Sequence, residues 1–318
     1  MQRACSLRNG LAIMSEHGYF DLQVNGYGGV DFNSDGLGSA DLHQACQALQ
    51  ADGVAGVLAT IMTEDIEVMS ARLARLAELR AGDALAEQLI AGIHIEGPFI
   101  NPAEGYRGAH PADAICPADA DKMDRLLAAA DGLTRIVTLA PECDAGLAVT
   151  KMLACRGVVV SAGHCDASLE QLGGAIDAGL SMFTHLGNGT PAEMPRHDNI
   201  IQRALTLADK LWLTLIADGV HLPYFVLKNI LDLAGERCIV TTDAMAAAGL
   251  GPGRYTIGRW DLLVGEDLAA RSPDGTHLVG SAVSMPQARA NLREHLGLGE
   301  EQIRRLTVEN PRQAIGLN

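Results

Sequence analysis

Two histidines, a glutamate and an aspartate are the residues of this sequence whose types and spacing best suit metal chemistry. Glu96 ends an apolar run that a Gly-Pro pair stops abruptly, and His164, His185 and Asp243 each follow a later apolar run. Two imidazoles and one carboxylate form the kind of three-ligand set that holds catalytic zinc and leaves one coordination position open. Asp243 would accept a proton and later return it to a leaving group. These residues together suggest metal-assisted hydrolysis.

Each of the four residues also has an ordinary structural explanation. A single histidine at the end of a strand is more often a hydrogen-bonded rim residue than a metal ligand. Glu96 could cap the turn that follows it, and Asp243 could be a buried hydrogen-bond acceptor. The set is more informative than its members, because four such groups on four strands rarely coincide without a site.

Several other polar residues are expected to have structural roles. Glu142 and Asp218 are interpreted as rim groups. His94 alternates with Glu96 along one apolar run, which favours a satisfied core histidine. Cys165 has no paired base in the sequence, so a packing role is expected beside His164. Surface positions are expected for three further histidines, His43, His277 and His295.

The elements that must position these groups form a regular alternation. From residue 18 onward, eight strand-like apolar runs alternate with amphipathic segments. The runs are Tyr19–Val24, Val54–Ile61, Leu89–Ile95, Arg135–Leu139, Gly157–Ser161, Ser181–Thr184, Leu211–Ile216 and Cys238–Thr242. Continuous apolar runs are typical of parallel strands that are buried on both faces.

Helix candidates follow the strands, and several begin at a capping residue and end at glycine. They are Ala40–Ala51, Asp65–Ala81, Ala118–Asp131, Ala145–Ala154, Ser168–Ala178, Ile200–Ala208, Leu222–Ala234 and Ser284–His295. This alternation indicates an α/β protein, and eight repeats match a (β/α)8 TIM-type barrel. An open, doubly wound sheet would also alternate, but eight regular repeats favour closure. A barrel would bring the carboxyl ends of all strands, and hence the four candidate groups, to one pocket.

The segment after the eighth strand is less regular. Gly249–Asp267 is rich in glycine and arginine, which predicts a loop over the barrel mouth with a hairpin around Tyr255–Leu263. A short helix is expected at Gln302–Val308. We find no internal repeat beyond the βα unit and no linker. We therefore predict an N-terminal segment, 1–17, followed by one metal-dependent hydrolase barrel domain, 18–318.

Composition limits the class of protein. Of the 318 residues, 48% are hydrophobic and 20% charged, which is enough to bury a large core. The net charge of -15 argues against nucleic-acid binding, which needs a basic face, but does not exclude a small phosphorylated ligand. No apolar run is long enough for a secretory signal or a membrane span. Seven scattered cysteines without a CxxC pair favour a reduced, cytoplasmic protein.

Ten short motifs occur in order between about residues 18 and 317. They are Gly18-Tyr-Phe-Asp-Leu-Gln-Val-Asn-Gly26, His94-Ile-Glu-Gly-Pro-Phe-Ile-Asn-Pro102, Gly108-Ala-His110, Leu139-Ala-Pro-Glu142, Ser161-Ala-Gly-His164, Phe183-Thr-His-Leu-Gly-Asn188, Ala217-Asp-Gly-Val-His221, Thr242-Asp-Ala-Met245, Leu278-Val-Gly-Ser281 and Asn310-Pro311. Together they resemble the N-acetylglucosamine-6-phosphate deacetylases of the amidohydrolase superfamily. An ordered series of this length is far more specific than any one short motif.

The resemblance implies metal-dependent hydrolysis of the N-acetyl group of an amino sugar phosphate, N-acetylglucosamine 6-phosphate, to acetate and the free amine. It implies that Glu96, His164 and His185 bind the metal. It also implies that Asp243 is the general base and then the general acid, and that His110 helps to polarise the acetyl carbonyl. The substrate-binding residues that it implies are His110, Asn188, Gly189, Arg196, His221, Leu278, Val279 and Gly280, with Arg196 and His221 directed at the phosphate.

One departure from the wider superfamily concerns the number of metals. Many amidohydrolases carry His-x-His at the end of strand one and bind two metals, whereas this chain has Gln23-Val-Asn25. Amide side chains are weak ligands beside imidazole, so we expect one divalent metal ion. Zinc is the expected ion, with Fe2+ or another divalent ion as the alternative. The loop from Glu96 to His110 is also longer than is usual in the family.

A second departure concerns architecture. Family members usually carry a small β-sandwich built from segments on both sides of the barrel, and here we expect it to be absent or vestigial. A homodimer is expected from the resemblance. Two other functions stay open: a related amidohydrolase that acts on another N-acyl amine or an unphosphorylated N-acetyl hexosamine, and a non-catalytic sugar-phosphate-binding barrel. The intact ligand set with Asp243 counts against the non-catalytic alternative.

Overall fold

The computed structural model describes residues 18–272, 275 and 278–317. In chain order its strands are β1 (Tyr19–Val24), β2 (Gly26–Tyr27), β3 (Val30–Asp31), β4 (Val54–Met62), β5 (Ile90–Glu96), β6 (Thr134–Leu139), β7 (Val159–Ala162), β8 (Leu180–Phe183), β9 (Trp212–Ile216), β10 (Cys238–Thr241), β11 (Gly253–Ile257), β12 (Trp260–Val264), β13 (Ala269–Arg271) and β14 (Leu278–Ser281). Eight of them form one parallel sheet in the order β1-β4-β5-β6-β7-β8-β9-β10. The predicted barrel is confirmed, with all eight predicted strands at or within a few residues of their expected positions.

Helices connect the strands on the outside of the sheet. They are α1 (Ser39–Ala51), α2 (Ile66–Ala81), α3 (Ala84–Leu89), α4 (Ala120–Ala129), α5 (Ala148–Cys155), α6 (Leu169–Asp177), α7 (Ile200–Thr206), α8 (Tyr224–Ala234), α9 (Met285–Leu296), α10 (Glu300–Arg304) and α11 (Asn310–Ala314), with 3-10 turns at Pro141–Cys143, Ala145–Leu147 and Gly235–Arg237 and a π-helical turn at Arg305–Glu309. Among the helices of the described residues, none is both long and apolar enough to cross a bilayer.

Local sequence explains where the helices begin and where the predictions were wrong. Ser168 caps α6 by accepting a hydrogen bond from the backbone of Gln171, whose side chain bonds back to Ser168. Helix α5 begins three residues later than predicted, because Gly146 and Leu147 adopt positive φ angles of 65° and 57°. Helix α3 was not predicted; the predicted strand, Leu89–Ile95, begins at the last residue of this helix.

The segment after β10 is more ordered than predicted. The expected hairpin exists, with Ile257 of β11 paired to Trp260 of β12. Strands β13 and β14, which were not predicted, extend it into a four-stranded antiparallel sheet. Arg259, in the hairpin turn, forms ion pairs with Glu64 and Asp113. This antiparallel sheet is thereby fixed to the loops that follow β4 and β5.

The seam between the first and last barrel strands is closed by one buried carboxylate. Asp21 of β1 accepts hydrogen bonds from the hydroxyls of Thr241 and Thr242, both at 2.5 Å, and from the Thr242 backbone. Beyond it, the backbone N–H of Asn25 donates to Ala244 at 2.7 Å. Side-chain bonds therefore replace part of the backbone ladder where the barrel closes.

Loss of this carboxylate should destabilise the whole fold. Asp21→Asn is expected to lower the free energy of unfolding by about 2–4 kcal/mol, because an amide cannot accept from all the buried donors that face Asp21. Burial raises the pKa of Asp21 to about 6, against the opposing effect of its hydrogen bonds, so the group is mostly ionised at pH 7. Urea denaturation at pH 7 measures the change, with the exposed Asp209→Asn as the matched control; equal losses in both variants would contradict the role of the seam.

The barrel interior has an apolar layer below a polar one. The apolar layer consists of Phe20, Leu22, Leu58, Ala91, Ile136, Met182, Ile239 and, from α11, Ala314. Nearer the strand ends, His94 bonds to the Leu22 carbonyl at 3.1 Å and to the Thr138 hydroxyl at 2.7 Å. Thr138 and Ser161 both bond to Thr184, at 2.7 and 2.6 Å. This hydrogen-bonded layer separates the core from the carboxyl ends of the strands.

Some predictions concern residues outside this description. The N-terminal segment, 1–17, and His277 lie outside the described residues. The domain boundaries and the expected absence of a β-sandwich therefore stay predictions.

Candidate active site

The three predicted metal ligands lie together at the carboxyl ends of β5, β7 and β8. Each of Glu96, His164 and His185 offers one ligand atom within 4.8 Å of the others. Glu96 Oε1 lies 3.0 Å from His185 Nε2 and 3.4 Å from His164 Nε2. All three side chains are buried. Parallel strands of neighbouring βα units thus bring residues that are far apart in sequence to one point.

The charge distribution of this group suits a divalent cation. His164 Nδ1 donates to the carbonyl of Tyr106 at 2.8 Å, which directs the lone pair of Nε2 towards the Glu96 carboxylate. Two electron-rich atoms 3.4 Å apart repel each other unless a proton or a metal ion lies between them. Burial alone would raise the pKa of Glu96, but the hydrogen bond from His185 and the other imidazoles around the carboxylate hold it well below its usual range. The ligand set therefore fits a metal of the kind bound by nitrogen and oxygen donors.

The backbone at these strand ends is strained. His164, His185 and Asp243 have φ angles of 51°, 31° and 50°, in the left-handed region that side chains rarely adopt. Such strain persists only where the surroundings enforce it, and it concentrates at functional sites. Three of the four residues predicted to form the site are thus marked independently by their backbone conformation.

Asp243 lies beside the ligand set and is held by an amide. Asn25 Nδ2 donates to Asp243 Oδ1 at 2.7 Å. Burial, and next the charge of Glu96, raise the pKa of Asp243 to about 7, although His185, His221 and the Asn25 bond oppose the shift. A carboxyl group with a pKa near neutrality can both accept and return a proton.

The two amides at the end of β1 bond to carboxylates. Gln23 Nε2 donates to Glu96 Oε1 at 3.1 Å, as Asn25 does to Asp243. Where many amidohydrolases have metal-binding imidazoles, this chain therefore has N–H donors that orient the acidic groups. The expectation of one metal stays a prediction.

A cavity of about 850 Å3 opens above the metal ligands and Asp243. Its wall includes six of the eight predicted substrate residues, which are His110, Asn188, Gly189, His221, Leu278 and Gly280. Two predicted residues are not in the wall. Val279 points to the opposite face of β14, into a cluster with Met245 and Ile257, because side chains alternate along a strand. Arg196 is exposed outside the wall, on the loop before α7.

Comparison with known proteins places the chain in a family. No family model matches it. The N-acetylglucosamine-6-phosphate deacetylase of Bacillus subtilis is 32% identical over 303 residues, which are 94% of this chain and 75% of that protein. The chain belongs to the N-acetylglucosamine-6-phosphate deacetylase family. An N-acetylgalactosamine-6-phosphate deacetylase of Escherichia coli O157:H7 is 30% identical over 308 residues, 94% of this chain and 78% of that protein.

Solved deacetylase structures share the fold. An aspartate-to-alanine variant of the Mycobacterium smegmatis N-acetyl-D-glucosamine-6-phosphate deacetylase, in complex with N-acetyl-D-glucosamine-6-phosphate, has a TM-score of 0.85 at 31% identity, covering 94% of this chain and 77% of that one. The Thermotoga maritima deacetylase has a TM-score of 0.82 at 28% identity, and the match covers 94% of this chain and 78% of that one. As a member of this deacetylase family, the chain is an amidohydrolase, a metal-dependent hydrolase of amide bonds.

His110 lies against the ligand set despite the long loop that carries it. Its ring centroid is 4.4 Å from that of His164, and its Nε2 is 4.0 Å from Glu96 Oε2. Its Nδ1 bonds to the hydroxyl of Thr63 at 2.7 Å. Burial lowers the pKa of His110 to about 3, so the imidazole is neutral. Thr63, at the end of β4, was not identified from the sequence because a threonine there carries no distinctive signal.

Asp218, which was predicted to be a structural rim group, lies against His221. Its Oδ2 lies 2.6 Å from His221 Nδ1, and its Oδ1 accepts from the backbone of Val220 and His221. Burial would raise the pKa of Asp218, but the hydrogen bond from His221 lowers it. The carboxylate therefore holds His221 with Nε2 free for another partner. An aspartate three residues before a histidine at a strand end was the available signal.

The remaining structural predictions agree with the geometry. His94 is buried in the interior polar layer, and burial lowers its pKa to about 4. Glu142 accepts from the Asn101 side chain at 2.9 Å and the Asp166 backbone at 2.5 Å. Cys165 is buried in the core, where burial raises its thiol pKa well above the usual value. His43 bonds to Asp83, and His295 stacks on Tyr224 at 4.2 Å.

Metal binding to the deacetylase should release protons. Burial alone would lower the pKa of His185, but the hydrogen bond to Glu96 and the charge of Glu96 outweigh burial, so the pKa of His185 is raised. The pKa of Asp243 is raised to about 7. Without metal, these raised pKa values leave both groups partly protonated near pH 7, and a divalent cation would displace the protons. We expect about one proton released per metal at pH 7, measured by calorimetry in buffers with different ionisation enthalpies. The Asp243→Asn variant should release fewer protons per metal. An unchanged number of protons would show that Asp243 is not one of the groups that lose a proton.

Proposed function

We propose that this chain hydrolyses the N-acetyl group of N-acetylglucosamine 6-phosphate, giving acetate and glucosamine 6-phosphate, with one divalent metal ion, zinc, at Glu96, His164 and His185. The observation that supports it most is the buried ligand set beside Asp243 in one cavity. A non-catalytic barrel would not need a carboxyl group with a pKa of about 7 at this point.

The chain's own residues can perform the proton transfers of amide hydrolysis. A metal in this site would supply Lewis-acid chemistry, polarising oxygen atoms and increasing the acidity of water. Asp243 takes a proton from the water that attacks the acetyl carbon. When the C–N bond breaks, Asp243 returns that proton to the nitrogen, because an amine leaves poorly unless it is protonated. The products are acetate and the free amine.

Other residues of the cavity have proposed binding roles. His110, buried next to the ligand set, faces the oxygen on which negative charge develops. Asn188, Gly189, Leu278 and Gly280, which line the same cavity, contact the sugar. Gly189 has a φ of 59°, and a Cβ there would lie 2.6 Å from His164 Nδ1, so a side chain would collide with a metal ligand. We also propose a cytoplasmic homodimer.

His221 is proposed to face the phosphate, with Asp218 as its positioning residue. Asp218→Asn should raise KM for the phosphorylated sugar about tenfold with little change in kcat, because His221 loses its 2.6 Å bond. Steady-state kinetics measures KM and kcat separately. In a His221→Asn background, the same substitution should have almost no further effect. Additive effects of the two substitutions would show that Asp218 does not act through His221.

The direct test is acetate release from N-acetylglucosamine 6-phosphate by metal-loaded protein. N-acetylgalactosamine 6-phosphate is the second substrate to test, since one relative is named a deacetylase of that epimer. Turnover of N-acetylglucosamine 6-phosphate that requires both metal and phosphate would support the proposal, whereas turnover of the galactosamine epimer alone would show that the sugar is the other one. Hydrolysis of an unphosphorylated or unrelated N-acyl amine alone would refute it.

A further inference from the structure

We propose that Thr63 is a positioning residue of the deacetylase, because its hydroxyl holds the His110 imidazole in the tautomer that can donate a hydrogen bond to the substrate. The inference rests on the proposed function, in which His110 faces the oxygen where negative charge develops. Only a ring nitrogen that carries a hydrogen can stabilise that charge. A neutral imidazole has one such hydrogen, and the partner of the other nitrogen decides where it lies.

The two ring nitrogens of His110 have different surroundings. Nδ1 lies 2.7 Å from the Thr63 hydroxyl, and both side chains are buried. Nε2 lies on the side of the metal ligands, 4.0 Å from Glu96 Oε2, which is too far for a hydrogen bond. His110 also lines the cavity. Nε2 is therefore the nitrogen that can reach a substrate oxygen, whereas Nδ1 is bonded to the protein.

The Thr63 hydroxyl has one hydrogen and two acceptors within reach. It lies 2.7 Å from His110 Nδ1 and 3.1 Å from the carbonyl oxygen of Glu96. The first distance is usual for a hydroxyl donor, and the second is longer than such bonds normally are. The hydroxyl therefore donates to Nδ1, which leaves the ring hydrogen on Nε2. The opposite tautomer would present a lone pair on Nε2 and repel an oxygen that carries negative charge.

The position of the Thr63 hydroxyl is fixed by its neighbours. Glu64, the next residue, forms an ion pair with Arg259 of the hairpin turn. A Cβ on Gly97 would lie 2.0 Å from Thr63 Oγ1, so the hydroxyl packs directly against the backbone that follows β5. A hydroxyl held in this way keeps the imidazole of His110 in one orientation.

The first test is the effect of Thr63→Val on acetate release from N-acetylglucosamine 6-phosphate. Valine keeps the shape of the side chain but removes the hydroxyl, so the imidazole loses its preference for one tautomer. We expect kcat to fall about tenfold and KM to stay within about twofold, because the lost interaction belongs to the transition state. Thr63→Ser keeps the hydroxyl and should restore kcat to within about threefold of the parent protein.

Two further comparisons separate positioning from a structural role. Thr307→Val, outside the cavity wall, removes the hydroxyl of another buried threonine, which donates to the Ile303 carbonyl at 2.8 Å, and should leave kcat unchanged. In a His110→Ala background, Thr63→Val should have almost no further effect on kcat. An unchanged kcat in folded Thr63→Val, an equal fall in Thr307→Val, or the full additional fall in the His110→Ala background would overturn the inference. Circular dichroism verifies folding, and Thr63→Ala replaces Thr63→Val if the latter does not fold.

A measurement of the tautomer separates this inference from the proposed function. Nitrogen NMR of zinc-loaded protein labelled at histidine should show the ring hydrogen of His110 on Nε2 in the parent protein, with the signal identified by its loss in His110→Ala. In Thr63→Val the hydrogen should move at least partly to Nδ1. If the parent protein releases no acetate, the proposed function fails, and this measurement still decides the role of Thr63. A ring hydrogen on Nδ1 in the parent protein, or the same tautomer in Thr63→Val, would overturn the inference.

Discussion

Asp243→Asn is expected to lower kcat about 10²- to 10⁴-fold while the protein still binds its metal. Asparagine keeps the shape of the side chain but cannot take a proton from water or return one to nitrogen. The bond from Asn25 at 2.7 Å fixes the carboxylate, so the substitution removes proton transfer without displacing the group far. KM should change much less than kcat, because the lost interaction belongs to the transition state. Single-turnover acetate release on metal-loaded protein measures the chemical step directly.

The pH profile provides the control for this prediction. As a base, Asp243 acts when ionised, so kcat/KM should fall as the pH drops through its pKa. That value is about 7 without metal, and a bound cation would lower it, so the acidic limb should lie below pH 7. Asp243→Asn should lose this limb. A variant with kcat within a few-fold of the parent, or with the same acidic limb, would remove Asp243 from the mechanism.

Glu96→Gln is expected to abolish stoichiometric metal binding, with affinity reduced more than about 100-fold and activity lost with it. Glu96 is the one anionic ligand of the set, and its Oε1 lies 3.0 Å from His185 and 3.4 Å from His164. The neutral amide that replaces it binds divalent ions weakly. Metal analysis after gel filtration should give one metal per chain in the parent protein and almost none in the variant.

A carboxylate of the same cavity supplies the matched control for Glu96. Glu104 lies at the exposed rim, so Glu104→Gln removes the same charge without removing a ligand. It should keep one metal per chain. The metal-dependent rise in melting temperature should likewise persist in Glu104→Gln and vanish in Glu96→Gln. Full metal occupancy in Glu96→Gln would mean that the ion binds elsewhere.

The residues at strand ends could be predicted because topology alone brings them together. Once eight βα units are recognised, Glu96, His164, His185 and Asp243 must converge, whatever the loops do. Loop residues have no such constraint. Arg196 was expected in the cavity and lies outside it, whereas Arg107 lines it, because the path of each loop depends on tertiary contacts such as that of Gly105 with Pro191.

The orientation of single residues on a strand was also difficult to predict. Val279 belongs to a motif that resembles part of the family's substrate pocket. Because side chains alternate along a strand, Val279 packs in a hydrophobic cluster, whereas Leu278 and Gly280 on either side of it line the cavity. Asp218 was interpreted by itself, although its role depends on the turn that brings its carboxylate to His221. Strands β13 and β14 are short, and their pairing partners could not be recognised from local pattern alone.

Asp21 has a consequence for how this chain must fold during synthesis. Its partners lie 220 and 221 residues later, so β1 leaves the ribosome long before the groups that close the barrel exist. Helix α11, whose Ala314 covers the base of the barrel beside Phe20, follows later still. Until then one edge of β1 and the inner face of the sheet are open to other chains. We therefore expect truncated or stalled products of this chain to depend on chaperones, and full-length product to be released from them once residues 241–314 have docked.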